Sequence, residues 1–97
     1  MVRTIYYTDG TRYVGETENG MRHGRGTRYY GNGCRYEGDY RADKRHGFGR
    51  ETYADGSCFE GGFADDAPNG RGVICRADGA RCEGEFLNGH ILRRSAG

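Results

Sequence analysis

Glycine recurs along this chain at intervals of 23 residues, and that spacing constrains the fold more than any other feature. Gly10, Gly33, Gly56 and Gly79 form one column, and Gly15, Gly38, Gly61 and Gly84 a second. Gly24, Gly47 and Gly70 form a third, and Gly26, Gly49 and Gly72 a fourth, with no insertion disturbing the register. Aromatic residues keep the same step. Tyr13, Tyr36 and Phe59 fill one column, which Cys82 ends; Tyr40, Phe63 and Phe86 fill another, where Thr17 is the exception. A fixed period of this length marks stacked repeats, each unit burying its apolar side against its neighbours. Full units span 13–35, 36–58 and 59–81, with partial units at 1–12 and 82–97, in one domain of 97 residues.

Each unit places Asn-Gly or Asp-Gly between strand-forming residues: TDGT at 8–11, GNGC at 31–34, ADGS at 54–57 and ADGA at 77–80. Such dipeptides predict two-residue hairpin turns of type I′, since both residues accept positive φ. With Asn32-Gly33 at the centre of the turn, Tyr29 faces Tyr36 and Arg28 faces Glu37. The same rule pairs Tyr6 with Tyr13, Thr52 with Phe59 and Cys75 with Cys82. The second connection of each unit is expected to be longer, ENGMRHG at 18–24, ADKRHG at 42–47 and DDAPNG at 65–70. The expected fold is all-β, a single twisted antiparallel meander, elongated, of about eight strands near 3–8, 11–17, 25–31, 34–41, 48–54, 57–63, 71–77 and 80–87.

Period-two alternation then puts Tyr13, Tyr36, Tyr40, Phe59, Phe63 and Phe86 on one side, with glycines between them, and mostly charged residues on the other. Tyr7, Tyr30 and Tyr53 fall on the charged side, either stacked under guanidinium groups or exposed. One sheet without helices covers its rings only by curling, so the six rings are either the core or an exposed strip for a partner.

The net charge of +1 gives no reason to expect nucleic acid as a partner. Fifteen residues are Lys or Arg, of which Lys44 is the one lysine. No apolar run approaches a membrane span and the start lacks a signal-peptide pattern, so a cytoplasmic location, with cytoskeletal or membrane association as variants, is the expectation. Cys34, Cys58, Cys75 and Cys82 show neither C-x-x-C pairs nor zinc-knuckle spacing, which favours free thiols. A packed thiol pair is favoured over a disulfide for Cys75 and Cys82.

Tyr13, Gly15, Gly20, Gly24, Gly26 and Gly33, then Tyr36, Gly38, Gly47, Gly49 and Gly56, then Phe59, Gly61, Gly70, Gly72 and Gly79 resemble the motif of MORN repeats, with coverage from about Ile5 to Gly89. The resemblance implies paired antiparallel strands stacked into an elongated, twisted sheet. It also implies a role in assembly, since MORN repeats occur in junctophilins, plant phosphatidylinositol phosphate kinases, ciliary radial spoke proteins and parasite cytoskeletal scaffolds. Both ends depart from the motif: Met1 and Arg3, and again Arg93 and Ser95, stand in the paired-glycine columns. The segment GHILRRSAG at 89–97 is expected to cap the last strand, as a strand or a short helical turn.

For function, the first expectation is a non-enzymatic interaction module that takes a helix or peptide, or another copy of itself, on Tyr13, Tyr36, Tyr40, Phe59, Phe63 and Phe86 or at its edge strands. One alternative is an anionic lipid reader using Arg22, Arg25, Arg41, Lys44, Arg45 and Arg71 at the longer connections. Another is an accessory subunit of a larger assembly. No nucleophile stands beside a base and an orienting acid, so no catalytic residue is assigned. His23 and His46 precede turn glycines without a completing ligand column, so no metal or cofactor is expected.

Overall fold

The computed structural model describes residues 2–94. They form one antiparallel sheet of nine strands in sequence order: β1 Val2–Tyr6, β2 Arg12–Glu18, β3 Met21–Tyr29, β4 Arg35–Arg41, β5 Lys44–Thr52, β6 Cys58–Ala64, β7 Ala67–Cys75, β8 Arg81–Leu87 and β9 His90–Arg94. The body measures 42 × 24 × 18 Å. The described part of the 89–97 segment is the ninth strand, so of the two forms expected there the strand is the one adopted; Ser95–Gly97 lie outside the described residues.

The two classes of turn are the reverse of what the sequence suggests. At the Asx-Gly sites the chain encloses three residues, not two. Tyr30 donates its N–H to the Cys34 carbonyl at 2.9 Å, and Gly33 N–H reaches the Tyr30 carbonyl at 3.4 Å. Gly33 takes φ of 87° while Asn32 does not enter the left-handed region. This is a type I turn followed by a left-handed glycine. The cause is the side chain: Asn32 Oδ1 accepts the Cys34 N–H at 3.1 Å, and Asp9, Asp55 and Asp78 accept from Thr11, Ser57 and Ala80 at 3.0, 2.8 and 2.9 Å. An Asx residue that bonds two positions ahead fixes its own backbone in the right-handed turn. At Asp9 and Asp55 the Thr11 and Ser57 hydroxyls and N–H groups hold the carboxyl below its usual range.

The type I′ turns lie instead in the connections expected to be long. Asn19-Gly20, Ala42-Asp43, Asp65-Asp66 and Asn88-Gly89 all have both φ values positive, between 48° and 85°. The odd-numbered strands β3, β5 and β7 therefore start several residues early, and most of the supposed loop is strand.

Three-residue loops also move the register by one. Arg28 pairs with Tyr36 and Tyr29 with Arg35; Ile5 faces Tyr13, and Glu51 faces Phe59. The expected Tyr29–Tyr36, Arg28–Glu37, Tyr6–Tyr13 and Thr52–Phe59 pairs do not form. Cys75 faces Arg81 and Cys82 faces Ile74, so these two thiols are not opposed. A slip of one residue exchanges the two sides of a strand. Accordingly Tyr7 and Tyr30 pack against the buried rings rather than standing among the charges.

Strands β3, β5 and β7 each carry a bulge at their His/Asn-Gly. Gly38 faces Gly49, but Tyr40 faces Arg45, leaving extra residues around Gly47 at φ of 72°. A side chain from the neighbouring strand satisfies the freed backbone: Glu16 Oε1 accepts the Arg25 N–H at 2.7 Å, and Asp39 Oδ2 accepts the Phe48 N–H at 3.1 Å.

The core is a single zigzag of rings. Tyr13, Tyr40, Tyr36, Phe63, Phe59 and Phe86 touch in that order, edge to face, with centroids 4.9–5.4 Å apart. Each such contact contributes about 0.5–1.5 kcal/mol beyond area burial. Tyr36 lies over the facing glycines Gly38 and Gly49; a Cβ at Gly49 would sit 2.2 Å from its hydroxyl oxygen. Paired glycines thus hold the ring flat on the sheet. The hydroxyls of Tyr13 and Tyr36 donate to the carbonyls of Glu16 and Asp39 at 2.6 and 2.9 Å. Burial pushes the Tyr13 hydroxyl up to about 12, so it stays a donor at any physiological pH.

Candidate functional site: the ring side and its lid

The six rings expected to meet a partner are 0–7% exposed. Their exposure, expected as one of two outcomes, is therefore corrected: they form the core. A second layer of side chains from the same sheet closes over them.

The layer is built by two repeat columns. Arg28, Glu51 and Ile74 follow the 23-residue step, as do Arg22, Arg45 and Pro68. The guanidinium of Arg28 lies 4.3 Å from the Tyr7 ring centroid and 5.4 Å from that of Tyr30, and it donates to Thr11 Oγ1 at 2.9 Å. Arg22 lies over Tyr40 at 5.2 Å, and Arg45 over Phe63 at the same distance. Guanidinium groups stack well on ring faces because they are planar and weakly hydrated.

Arg22 and Arg45 are each tied to the next unit. Asp43 Oδ1 accepts the Arg22 N–H at 3.0 Å and its Nε–H at 2.8 Å, while Asp43 N–H returns to the Arg22 carbonyl at 2.9 Å. Asp66 repeats this on Arg45, with Oδ1 distances of 3.1 and 3.0 Å, and Arg45 also reaches Glu51 at 2.5 Å. Burial works to raise the Asp43 carboxyl, but the hydrogen bonds and charge of Arg22 outweigh it and hold the group below its usual range. These clamps fix the I′ turns, including Ala42 at its unfavourable φ of 48°.

At the third junction the clamp is missing on both sides. Pro68 has neither N–H nor cation, Gly89 has no carboxylate, and only the Gly89 N–H to Pro68 carbonyl bond remains, at 3.0 Å. Here the lid opens onto an apolar hollow of about 240 Å³ lined by Tyr53, Phe59, Pro68, Ile74 and Phe86 among others. Tyr53 stands at its rim with the hydroxyl donated to Glu51 at 2.6 Å.

The six cations of the lipid alternative do not form one cluster. Arg22 and Arg45 are turned inward onto rings and carboxylates. Arg25 and Arg71 stand opposite Asp39 and Glu85 in the register, Arg25 at 3.3 Å from Asp39 and Arg71 at 4.0 Å from Glu83. Arg41 and Lys44 are exposed beside the Ala42-Asp43 turn. His23 accepts the Ala42 N–H on Nδ1 and approaches Glu18 with Nε2, both at 3.3 Å, and Asn69 accepts the Asn88 N–H in the equivalent place. The lid was legible in principle as the Arg22–Arg45 column, but the type I′ register placed those residues in a loop.

A meander of hairpins that stack at a fixed step and bury one row of rings defines a β-repeat protein. The family described as MORN repeat matches residues 13–35, 36–58 and 59–81, and the chain belongs to that family. Its members are generally modules for interaction with proteins or membranes. No curated protein matches the chain.

Proposed function

We propose that this chain is a non-catalytic protein-binding module that takes an extended or helical segment of a partner along its ring side. The observation that carries the reading is the change in the lid: the guanidinium groups of Arg22, Arg28 and Arg45 lie over the earlier rings, and then comes an apolar hollow walled by Tyr53, Pro68 and Ile74, with the buried Phe59 and Phe86 in its lining. An apolar hollow rimmed by polar groups suits one large apolar anchor side chain, the usual centre of a peptide interface. The partner's segment then runs over the tyrosines and guanidinium groups of the remaining lid. Self-association would use the same hollow or an edge strand. The lipid alternative has less support because its cations are dispersed and partly neutralised by carboxylates.

The test is selection of displayed peptides on the full chain, followed by binding to Ile74→Glu and, as a control on the opposite side, Phe48→Glu. Selected peptides should share an apolar anchor and bind Ile74→Glu at least tenfold more weakly while keeping affinity for Phe48→Glu. Equal binding to both variants overturns the reading. Sedimentation with anionic vesicles at physiological salt should leave the chain in the supernatant; salt-sensitive pelleting would favour lipid instead.

A further inference from the structure

The register that separates Cys75 from Cys82 brings Cys75 directly opposite Cys58, across β6 and β7. Opposed residues in an antiparallel pair have Cα atoms about 4.5 or 5.5 Å apart, and disulfides span Cα separations of about 4.4–6.8 Å. The backbone is therefore already placed for a bond between them. The two thiols are unequal in access: Cys58 is 2% exposed, whereas Cys75 is partly open to solvent. On the other flank of Cys58 stands Thr52, whose buried hydroxyl has no hydrogen-bond partner. Arg81 faces Cys75 from β8. The Arg81 charge works to lower the Cys75 thiol, but the hydrogen bond to Cys58 and burial outweigh it. Cys34 sits beside the 31–33 turn and Cys82 faces Ile74, neither opposite another thiol.

We propose that Cys58 and Cys75 are a two-electron oxidation site, with a peroxide as oxidant and an intramolecular disulfide as product. The accessible Cys75 thiolate attacks one peroxide oxygen, the O–O bond breaks, and the departing hydroxide takes up the thiol's proton as water. Cys75 is then a sulfenic acid. Cys58, losing its proton, attacks the Cys75 sulfur; the S–O bond breaks and the second oxygen leaves as water. Two thiols and one hydrogen peroxide give one disulfide and two waters. The bond joins the last residue of unit 36–58 to unit 59–81, the two units that the Arg45–Asp66 clamp also ties together. The hydrogen bond to Cys58 and burial both raise the Cys75 thiol above its ordinary value, so formation accelerates with pH.

The experiment treats the full chain with hydrogen peroxide, blocks remaining thiols with N-ethylmaleimide, and maps tryptic peptides without reduction. Arg71, the one tryptic site between the two cysteines, lets trypsin part the linked peptides. The expected product links Cys58 to Cys75, leaves Cys34 and Cys82 alkylated, and forms on the order of tenfold faster per pH unit while the thiol is mostly protonated. The Cys34→Ser/Cys82→Ser double variant, which keeps the proposed pair, should give the same link at the same rate. Recovery of Cys58 and Cys75 as alkylated or singly over-oxidised residues in that variant overturns the proposal, as does a link that forms only between molecules.

Discussion

Units 36–58 and 59–81 share one backbone course but are held by different chemistry. In the earlier unit Tyr36 donates to the Asp39 carbonyl, Asp39 accepts at the bulge, and Arg45 is clamped by Asp66 and Glu51. In the later unit the same positions are Phe59, Gly62 and Pro68, with Gly89 where the clamping carboxylate would stand. Every one of those polar ties is gone, yet the strand pairing is the same: Gly61 faces Gly72 as Gly38 faces Gly49. Backbone form therefore comes from turns, glycine pairs and stacked rings, while the lid is free to specialise. It has specialised toward an apolar opening.

The harshest test of that division is the glycine pairs. Gly49→Val places a branched side chain where even a Cβ lies 2.2 Å from the Tyr36 hydroxyl oxygen, and Gly72→Val meets Phe59 Cε1 at 2.5 Å. Each should cost about 3 kcal/mol or more in urea denaturation followed by circular dichroism, enough to unfold a small domain. Tolerance at Gly72 alone would show that the later unit is packed more loosely than described.

The clamp comes next. Arg45→Met should cost about 1–2 kcal/mol, a figure discounted because Asp66 is more than half exposed. Pro68→Arg alone should gain nothing, since no carboxylate awaits it. Combined with Gly89→Asp, whose φ of 85° resembles the 72° and 74° of Asp43 and Asp66, it should show a favourable coupling of about 0.5–1 kcal/mol in a double-mutant cycle. Absence of coupling would mean the junctions differ in more than their side chains.

Acid should act on the first clamp. The Asp43 carboxyl is held below its unfolded value near 3.8, so its contribution is complete above that pH and is lost as pH falls through the lower folded value. Thermal melts below about pH 4 should therefore fall less steeply in Asp43→Asn than in the parent chain. The smallest effects belong to the hydroxyls. Tyr36→Phe should cost about 1 kcal/mol for its bond to Asp39, whereas Tyr40→Phe, which removes a buried hydroxyl without a partner, should be neutral or slightly stabilising.

The period, the strand count to within one and the membership of the ring row were legible because each rests on a pattern repeated in every unit. Register was not, and the reason lies in one side chain. Asn32 and Asp55 look like the first residue of a type I′ turn, but their Oδ1 atoms bond two residues ahead and enlarge the loop to three. That single residue moved Tyr7 and Tyr30 to the other side, and it set Cys75 against Cys58. The I′ turn at Ala42-Asp43 carries no local signal, since it is held by Arg22, 21 residues away. Burial of the rings likewise depends on the lid column, which becomes visible only once the bulge at Gly47 places Arg45 opposite Tyr40.

Every strand of this sheet pairs only with those next to it in the chain, from β1 through β9. Most all-β proteins must bring distant segments together before any contact rewards the entropy lost, and they fold slowly for that reason. Here each hairpin closes a short loop and then offers an edge to the next. Assembly by successive addition, at rates nearer those of helical bundles than of β-sandwiches, follows from that strand order.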